Sequence, residues 1–271
     1  MEKKILEKAY RLFDWKDDPK TRSGKERYVK ALAKFKSLLG HPWFQDIPKE
    51  VQILDLCGGM GIGGVALAKT LQERGYSPRL TLLDIRGDAI KEAEKFSTEE
   101  GVTCRCIAGD ALEAYSLGRF DIVLLYGAPL PHFDAWMFPR LLASASEATK
   151  DNGILVIEEM DRVYFIFTKG FKDFLVESME EGRFVVSVHK EYDHLRDVYR
   201  RFGVDLISGE SVEIELTFRS IATIASFVWM FYEQVDIVGG DDLIHLIIGK
   251  KPRRKIMPRD LKELPSFYTK R

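Results

Sequence analysis

Three carboxylates in this chain stand where short apolar runs give way to turns. Asp55 lies in Val51-Gln-Ile-Leu-Asp-Leu56, Asp84 closes Leu80-Thr-Leu-Leu-Asp84, and Asp110 stands in Gly109-Asp-Ala111. The first run continues directly into Cys57-Gly-Gly-Met-Gly61. A strand that ends in an acid, turns on glycines and opens a helix is how an α/β sheet builds a nucleotide site. The glycines let backbone approach the ligand, and the helix N-terminus offers free N–H groups. A carboxylate's two oxygens suit a vicinal diol such as that of ribose. Any one of the three acids alone reads as a helix or turn cap. Three of them, each following a successive strand at the same sheet edge, point to a ligand.

The elements that must position these acids follow from hydrophobic periodicity. Residues 1–50 read as a helical segment. Ile5, Leu6, Ala9, Tyr10 and Phe13 form one stripe, and Ser23-Gly-Lys-Glu26 has the spacing of a capping box opening a second helix that Gly40 stops. From 51 onward strands at 51–56, 79–84, 102–107, 120–126 and 153–159 alternate with helices at about 62–74, 87–99, 133–149 and 219–234. Short apolar runs separated by helices indicate an α/β fold with a parallel sheet covered on both faces. Gln234 to Val238 and Leu243 to Ile248, joined by Gly-Gly-Asp-Asp, predict a final antiparallel hairpin. Residues 161–218 read as an insertion of one helix and a β-meander. The expected organisation is therefore 1–50 helical, 51–160 and 219–250 ligand-binding core, 161–218 inserted cap, and 251–271 basic tail.

The spacing Asp55-x-Cys57-x-Gly59-x-Gly61 resembles the first motif of class I S-adenosylmethionine-dependent methyltransferases, with Cys57 in place of the first glycine. The acid ending the second strand and the terminal hairpin are similar to that family's Rossmann-like sheet of seven strands. The resemblance implies S-adenosyl-L-methionine as cofactor. It places Asp55 near the methionine ammonium and lets Cys57, Gly58, Gly59 and Gly61 pass beside the ligand. Asp84 would then take the ribose hydroxyls and Ile85 would pack on adenine. Asp110 would accept the adenine amino group beside the Ala111 N–H, with Tyr126 and Gly127 facing the transferable methyl. A dinucleotide is the rival, since Gly59-Met-Gly-Ile-Gly-Gly64 satisfies G-x-G-x-x-G and Asp84 follows at ribose-binding distance. An acid at the turn would repel a pyrophosphate and suits an ammonium, so the reading favours S-adenosylmethionine.

A sulfonium is already an activated electrophile, so the protein's task is to align a nucleophile and exclude water. The segment Tyr126-Gly-Ala-Pro-Leu-Pro-His-Phe133 should set the acceptor. Families that methylate exocyclic base amines carry an Asn, Asp or Ser before Pro-Pro and an aromatic residue. Here Pro129 and Pro131 are present, but Gly127 and Ala128 offer no side-chain acceptor. Tyr126, Pro129 and His132 are the catalytic candidates, His132 as a base. The insertion should roof the site, with Tyr192, His194 and Arg196 clamping the acceptor beside Tyr199, Arg200 and Arg201. An ordinary polar turn is the plainer reading of that cluster. Glu158, Glu159 and Asp161 could also contact the acceptor.

Composition bounds the rest. With 45% apolar and 31% charged residues the chain is globular, not disordered. The longest apolar stretch, Ile221 to Tyr232, is too short for a bilayer, and no leader opens the chain, so a cytoplasmic protein without membrane contact is expected. Three cysteines and five histidines show no zinc-type spacing, and no metal is expected; Cys104 and Cys106 read as buried thiols. A single asparagine among many Lys, Glu and Arg suits a heat-loving source. The net charge of −1 hides basic ends: residues 1–36 carry +6 and residues 250–271 carry +7. Such ends could grip a polyanion. The leading expectation is thus methylation of an exocyclic amine in structured RNA, specifically a ribosomal RNA cytosine as in archaeal-type enzymes. The alternatives are a small-molecule N- or O-methyltransferase, an NAD-dependent oxidoreductase, and a non-catalytic nucleotide- or RNA-binding module.

Overall fold

The computed structural model describes residues 3–13, 15–240 and 243–269. Asp14 of the first helical segment and Asp241-Asp242 of the hairpin turn lie outside them. Helices α1 (Lys3–Leu12) and α2 (Arg22–Leu38) precede β1 (Glu50–Leu56), α3 (Ile62–Glu73), β2 (Ser77–Asp84), α4 (Gly87–Glu99), β3 (Cys104–Ala108) and β4 (Phe120–Leu125). The core resumes with α5 (Met137–Glu147) and β5 (Thr149–Met160). The insertion holds α6 (Arg162–Lys169), β6 (Phe174–Glu180), β7 (Arg183–Asp193), β8 (Val198–Asp205) and β9 (Ser211–Leu216). Helix α7 (Ile221–Phe231) then leads to the hairpin β10 (Tyr232–Gly240) and β11 (Ile244–Pro252).

The large sheet runs β10-β11-β5-β4-β1-β2-β3, seven strands as expected. Strand β1 pairs in parallel with both β2 and β4, and β11 pairs antiparallel with β5. The strand order therefore reverses at β1, and a crevice opens beyond its carboxyl end, where such sheets bind ligands. Alternation along the strands fills two cores. Ile53, Ile122 and Leu124 face α2 and α3, while Leu54, Val123 and Leu125 face α5 and α7. This is the doubly covered α/β architecture read from the sequence, with the Rossmann-like order of the class I methyltransferases.

Several boundaries differ from expectation by a few residues, and two of them have a visible cause. The cap of α2 is Thr21, whose Oγ1 accepts the Gly24 N–H at 3.0 Å, so Ser23 lies inside the first turn. The helix expected from 133 begins at Met137, because Asp134 Oδ1 accepts the N–H groups of Trp136 and Met137 and starts it there.

The second sheet, β6-β7-β8-β9, is antiparallel throughout. Its partner comes from the far end of the chain. Ala9, Leu12 and Phe13 of the α1 region pack on Val185, Val212 and Ile214. Gly203 permits this contact, since a Cβ there would lie 2.4 Å from Phe13 Cζ. Arg183 seals the helix end by donating from Nη2 to the carbonyls of Arg11 and Leu12. Among the described residues no helix is long and apolar enough to cross a membrane.

Because Phe13 is almost fully buried, Phe13→Ala should cost about 3 kcal/mol locally. Hydrogen exchange should then speed up in α1 and β8 while β1 and β4 stay protected. Equal acceleration in both sheets would show that α1 is not a separable roof.

Candidate cofactor and acceptor site

The turn after β1 is built for close approach. Cys57 takes a left-handed φ of 57°, in the region glycine normally occupies, and Gly59 and Gly61 follow at 55° and 95°. Asp84, at the end of β2, holds this turn: its Oδ2 accepts the Gly59 N–H at 2.8 Å, and its Oδ1 accepts the Arg86 N–H at 2.8 Å. The Arg86 side chain is 2% exposed. Its guanidinium lies 3.5 Å from the centroid of the Tyr10 ring, Nη2 is 3.0 Å from Asp17 Oδ2, and Nη1 has no hydrogen-bond partner. Burial raises the Asp17 carboxyl above its usual range although Arg86 pulls it down.

Two cavities adjoin across this wall. The smaller, 220 Å³, is lined by Asp84, Ile85, Asp110, Ala111 and Leu112. The larger, 370 Å³, is lined by Gly58, Gly59 and Met60 of the turn, by Tyr126 and Gly127 after β4, and by Trp15 from the N-terminal region. Tyr10, Cys57, Arg86, Pro129 and His132 border both. These five residues form the divider between the two spaces. In the smaller cavity the carboxylate Asp84 stands beside the apolar Ile85, and Asp110 stands at the turn after β3. Asp110 Oδ1 also caps that turn by accepting the Leu112 N–H at 2.9 Å.

His132 is wedged between Trp15 and Tyr10, with ring centroids 5.6 and 6.1 Å away. Its Nδ1 is buried and unpartnered. Burial first, then the charges of Arg162 and Arg86, push its pKa down to about 3, so the imidazole is neutral at physiological pH. Burial, followed by Glu158, raises the Tyr126 phenol above its ordinary value, which keeps it protonated.

The carboxylates at and just beyond the end of β5, read from the sequence as possible acceptor contacts, do not line the larger cavity. Glu158 Oε2 accepts the Gly127 N–H at 3.0 Å and pairs with Lys34; Glu159 Oε2 accepts the Leu130 N–H at 3.2 Å and stands 3.5 Å from Arg162. They fix the path of the segment after β4. Asp161 caps α6 through the Tyr164 N–H and accepts the Ile221 N–H. Asp55 is likewise a support. It is fully buried beneath the turn, outside both cavity linings, and its Oδ2 accepts the Gly64 N–H at 2.9 Å.

The clamp expected from Tyr192, His194 and Arg196 is not formed at this site. These residues line a separate open cavity with Arg200 and Tyr268. Arg196 forks onto Glu215 with two contacts of 3.0 Å and ion-pairs with Asp134 at 2.9 Å, so its charge is consumed by the fold. Sequence reasoning missed Tyr10, Trp15, Asp17, Arg27 and Arg162, which carry no local motif. Arg86 had a usable signal, as it directly follows Asp84-Ile85.

Residues 53–153 match the family described as a methyltransferase domain. Solved structures repeat its architecture. A protein from Pyrococcus horikoshii OT3 is 14% identical with a TM-score of 0.62, over 90% of this chain and 98% of that one. An S-adenosylmethionine-dependent methyltransferase from Clostridium acetobutylicum is 13% identical at 0.59, over 82% and 91%. The sugar N-methyltransferase KedS8 from Streptoalloteichus is 16% identical at 0.56, over 83% and 88%. At such identities these likenesses speak for the fold. No curated protein matches the sequence. The expectation of an S-adenosylmethionine-dependent methyltransferase is thus borne out. Among the described residues no cluster of three or more His, Cys, Asp or Glu could hold a metal.

Burial pushes the Asp55 carboxyl up to about 8 from an ordinary 3.8, opposed by the Gly64 N–H. The folded chain holds this proton where an unfolded chain releases it, so stability is lost as pH rises from about 4 to about 8. The melting-temperature advantage of Asp55→Asn over the parent should therefore grow between pH 5 and pH 8. A difference constant with pH would mean that Asp55 is ionised in the native protein.

Proposed function

We propose that the protein transfers the methyl group of S-adenosylmethionine to a nitrogen or oxygen of a small-molecule acceptor enclosed beneath α1. One observation carries the reading: the methyl-side cavity is roofed by the chain's own Tyr10, Trp15 and Asp17, with Leu216 of the small sheet beside them. The 370 Å³ it encloses suits a metabolite and a cofactor tail.

When bound, the cofactor supplies a sulfonium whose methyl is already activated. Asp84 and Asp110 hold the nucleoside end, with Ile85 against the base and Ala111 beside it. The turn Cys57–Gly61 lets the tail lie against backbone, with Asp55 supporting the turn from below. Tyr126, Gly127 and Pro129 form the floor on which the acceptor rests. His132, neutral and with Nδ1 unused, accepts a hydrogen bond from the acceptor's O–H or N–H and orients its lone pair. The aromatic roof excludes water, which would compete as nucleophile.

Part of the basic C-terminal end on which the RNA expectation rested is drawn into the fold. Arg253 donates from Nε to the Trp229 and Tyr232 carbonyls, and Arg254 pairs with Asp151 and Glu147. Phe267 packs on Trp136, and Tyr268 donates to Asp134. Helix α1 serves as roof. This favours a metabolite over a ribosomal RNA base as acceptor.

Calorimetry should show S-adenosylmethionine binding to the parent, weakened at least ~10-fold in Asp84→Asn through loss of a charge-assisted contact. Methyl-labelled cofactor should label a metabolite extract and leave ribosomal RNA unlabelled; the reverse pattern would refute the acceptor assignment.

A further inference from the structure

The larger cavity has a pronounced excess of positive charge. Lys16, Arg27, Arg86 and Arg162 line it, against the single carboxylate of Asp17. Asp17 is paired with Arg86, and Glu159 reaches Arg162 only from behind the lining. Arg86 keeps Nη1 buried and unpartnered, and Arg162 keeps its buried Nε unpartnered. Arg27 is held in place by donating from Nη1 to the Trp15 and Lys16 carbonyls at 3.2 Å each. Its Nη2 lies over Gly127, where a Cβ would come within 2.0 Å. The absence of a side chain at 127, which deprives this position of an acceptor, is what admits the guanidinium. The surplus also acts on His132, whose proton is disfavoured by both Arg162 and Arg86.

A sulfonium cofactor adds positive charge to this space. Buried like charges repel strongly in a low-dielectric cavity, so the remaining occupant must supply the balance. Guanidinium forks match the planar edge of a carboxylate and the faces of a phosphate. We propose that the acceptor carries an oxyanion, a carboxylate or phosphate group, held by Arg27, Arg86 and Arg162 so that its nucleophile faces His132 and Gly127. This names the substrate class of the methyl-transfer site and rests on that reading.

The test uses the full chain saturated with S-adenosylhomocysteine at low salt, titrated calorimetrically with inorganic phosphate and, separately, with malonate. At least one should bind, and which one binds distinguishes the two oxyanion sources. Arg27→Gln and Arg162→Gln should weaken that binding at least ~10-fold, with Arg27→Lys and Arg162→Lys restoring part of it, while affinity for S-adenosylhomocysteine changes less than ~2-fold. Absence of binding by either anion would overturn the proposal. So would variants that lose S-adenosylhomocysteine affinity instead, because the arginines would then serve the cofactor's own carboxylate. If the parent chain fails to bind S-adenosylhomocysteine at all, the methyl-transfer reading itself fails and this inference falls with it.

Discussion

One carboxylate is shared between the sheet and the roof, and the arrangement of the site depends on that sharing. Asp84 holds the glycine turn through Gly59 and receives the backbone N–H of Arg86, whose guanidinium then reaches Tyr10 and Asp17. A buried guanidinium costs several kcal/mol in lost hydration unless its charge is met. Asp84, Asp17 and the Tyr10 ring together offset that cost. The N-terminal region is thereby tied to the carboxyl edge of β2 by electrostatics as well as by packing. Removing either acid would leave a buried cation poorly compensated, which is more damaging than deleting the whole cluster.

A second support comes from β5. Its terminal Glu158 and Glu159 each accept a backbone N–H from the segment after β4, so a neighbouring strand fixes the floor of the larger cavity. With Asp55 below and Asp84 beside the turn, four acidic side chains position backbone at this edge. Acids are suited to the task because their oxygens accept backbone N–H bonds, most strongly when ionised. The loops gain rigidity without placing bulky side chains in the ligand space.

What was legible in the sequence was whatever has a local period or a local turn. The parallel strands, the terminal hairpin, the meander and the Cys57–Gly61 turn follow from alternation and glycine placement, and their positions agree with the structure to within a few residues. The acids at strand ends could be located by the same logic, but not their partners: only the fold reveals that Asp55 faces Gly64 beneath the turn. Residues 192–196 looked functional by residue type, yet Arg196 finds Asp134 and Glu215, acids distant in sequence. Conversely Tyr10, Trp15, Asp17 and Arg27 looked like an ordinary amphipathic start. Arg27 arrives on α2, which packs against α3, while Tyr10, Trp15 and Asp17 flank Phe13 where it meets Gly203, a tertiary contact with no local signature.

That contact also orders events during synthesis. Strands β1 and β2, with the turn between them, leave the ribosome early and can pair as soon as β4 follows. The first helix has no surface to settle on until β8 and β9 emerge much later. Closing so large a loop is slow relative to forming neighbouring strands. The nascent protein therefore possesses the carboxyl edge of β1 and β2 well before it can cover that edge, and the roof is the last part of the cleft that the growing chain acquires.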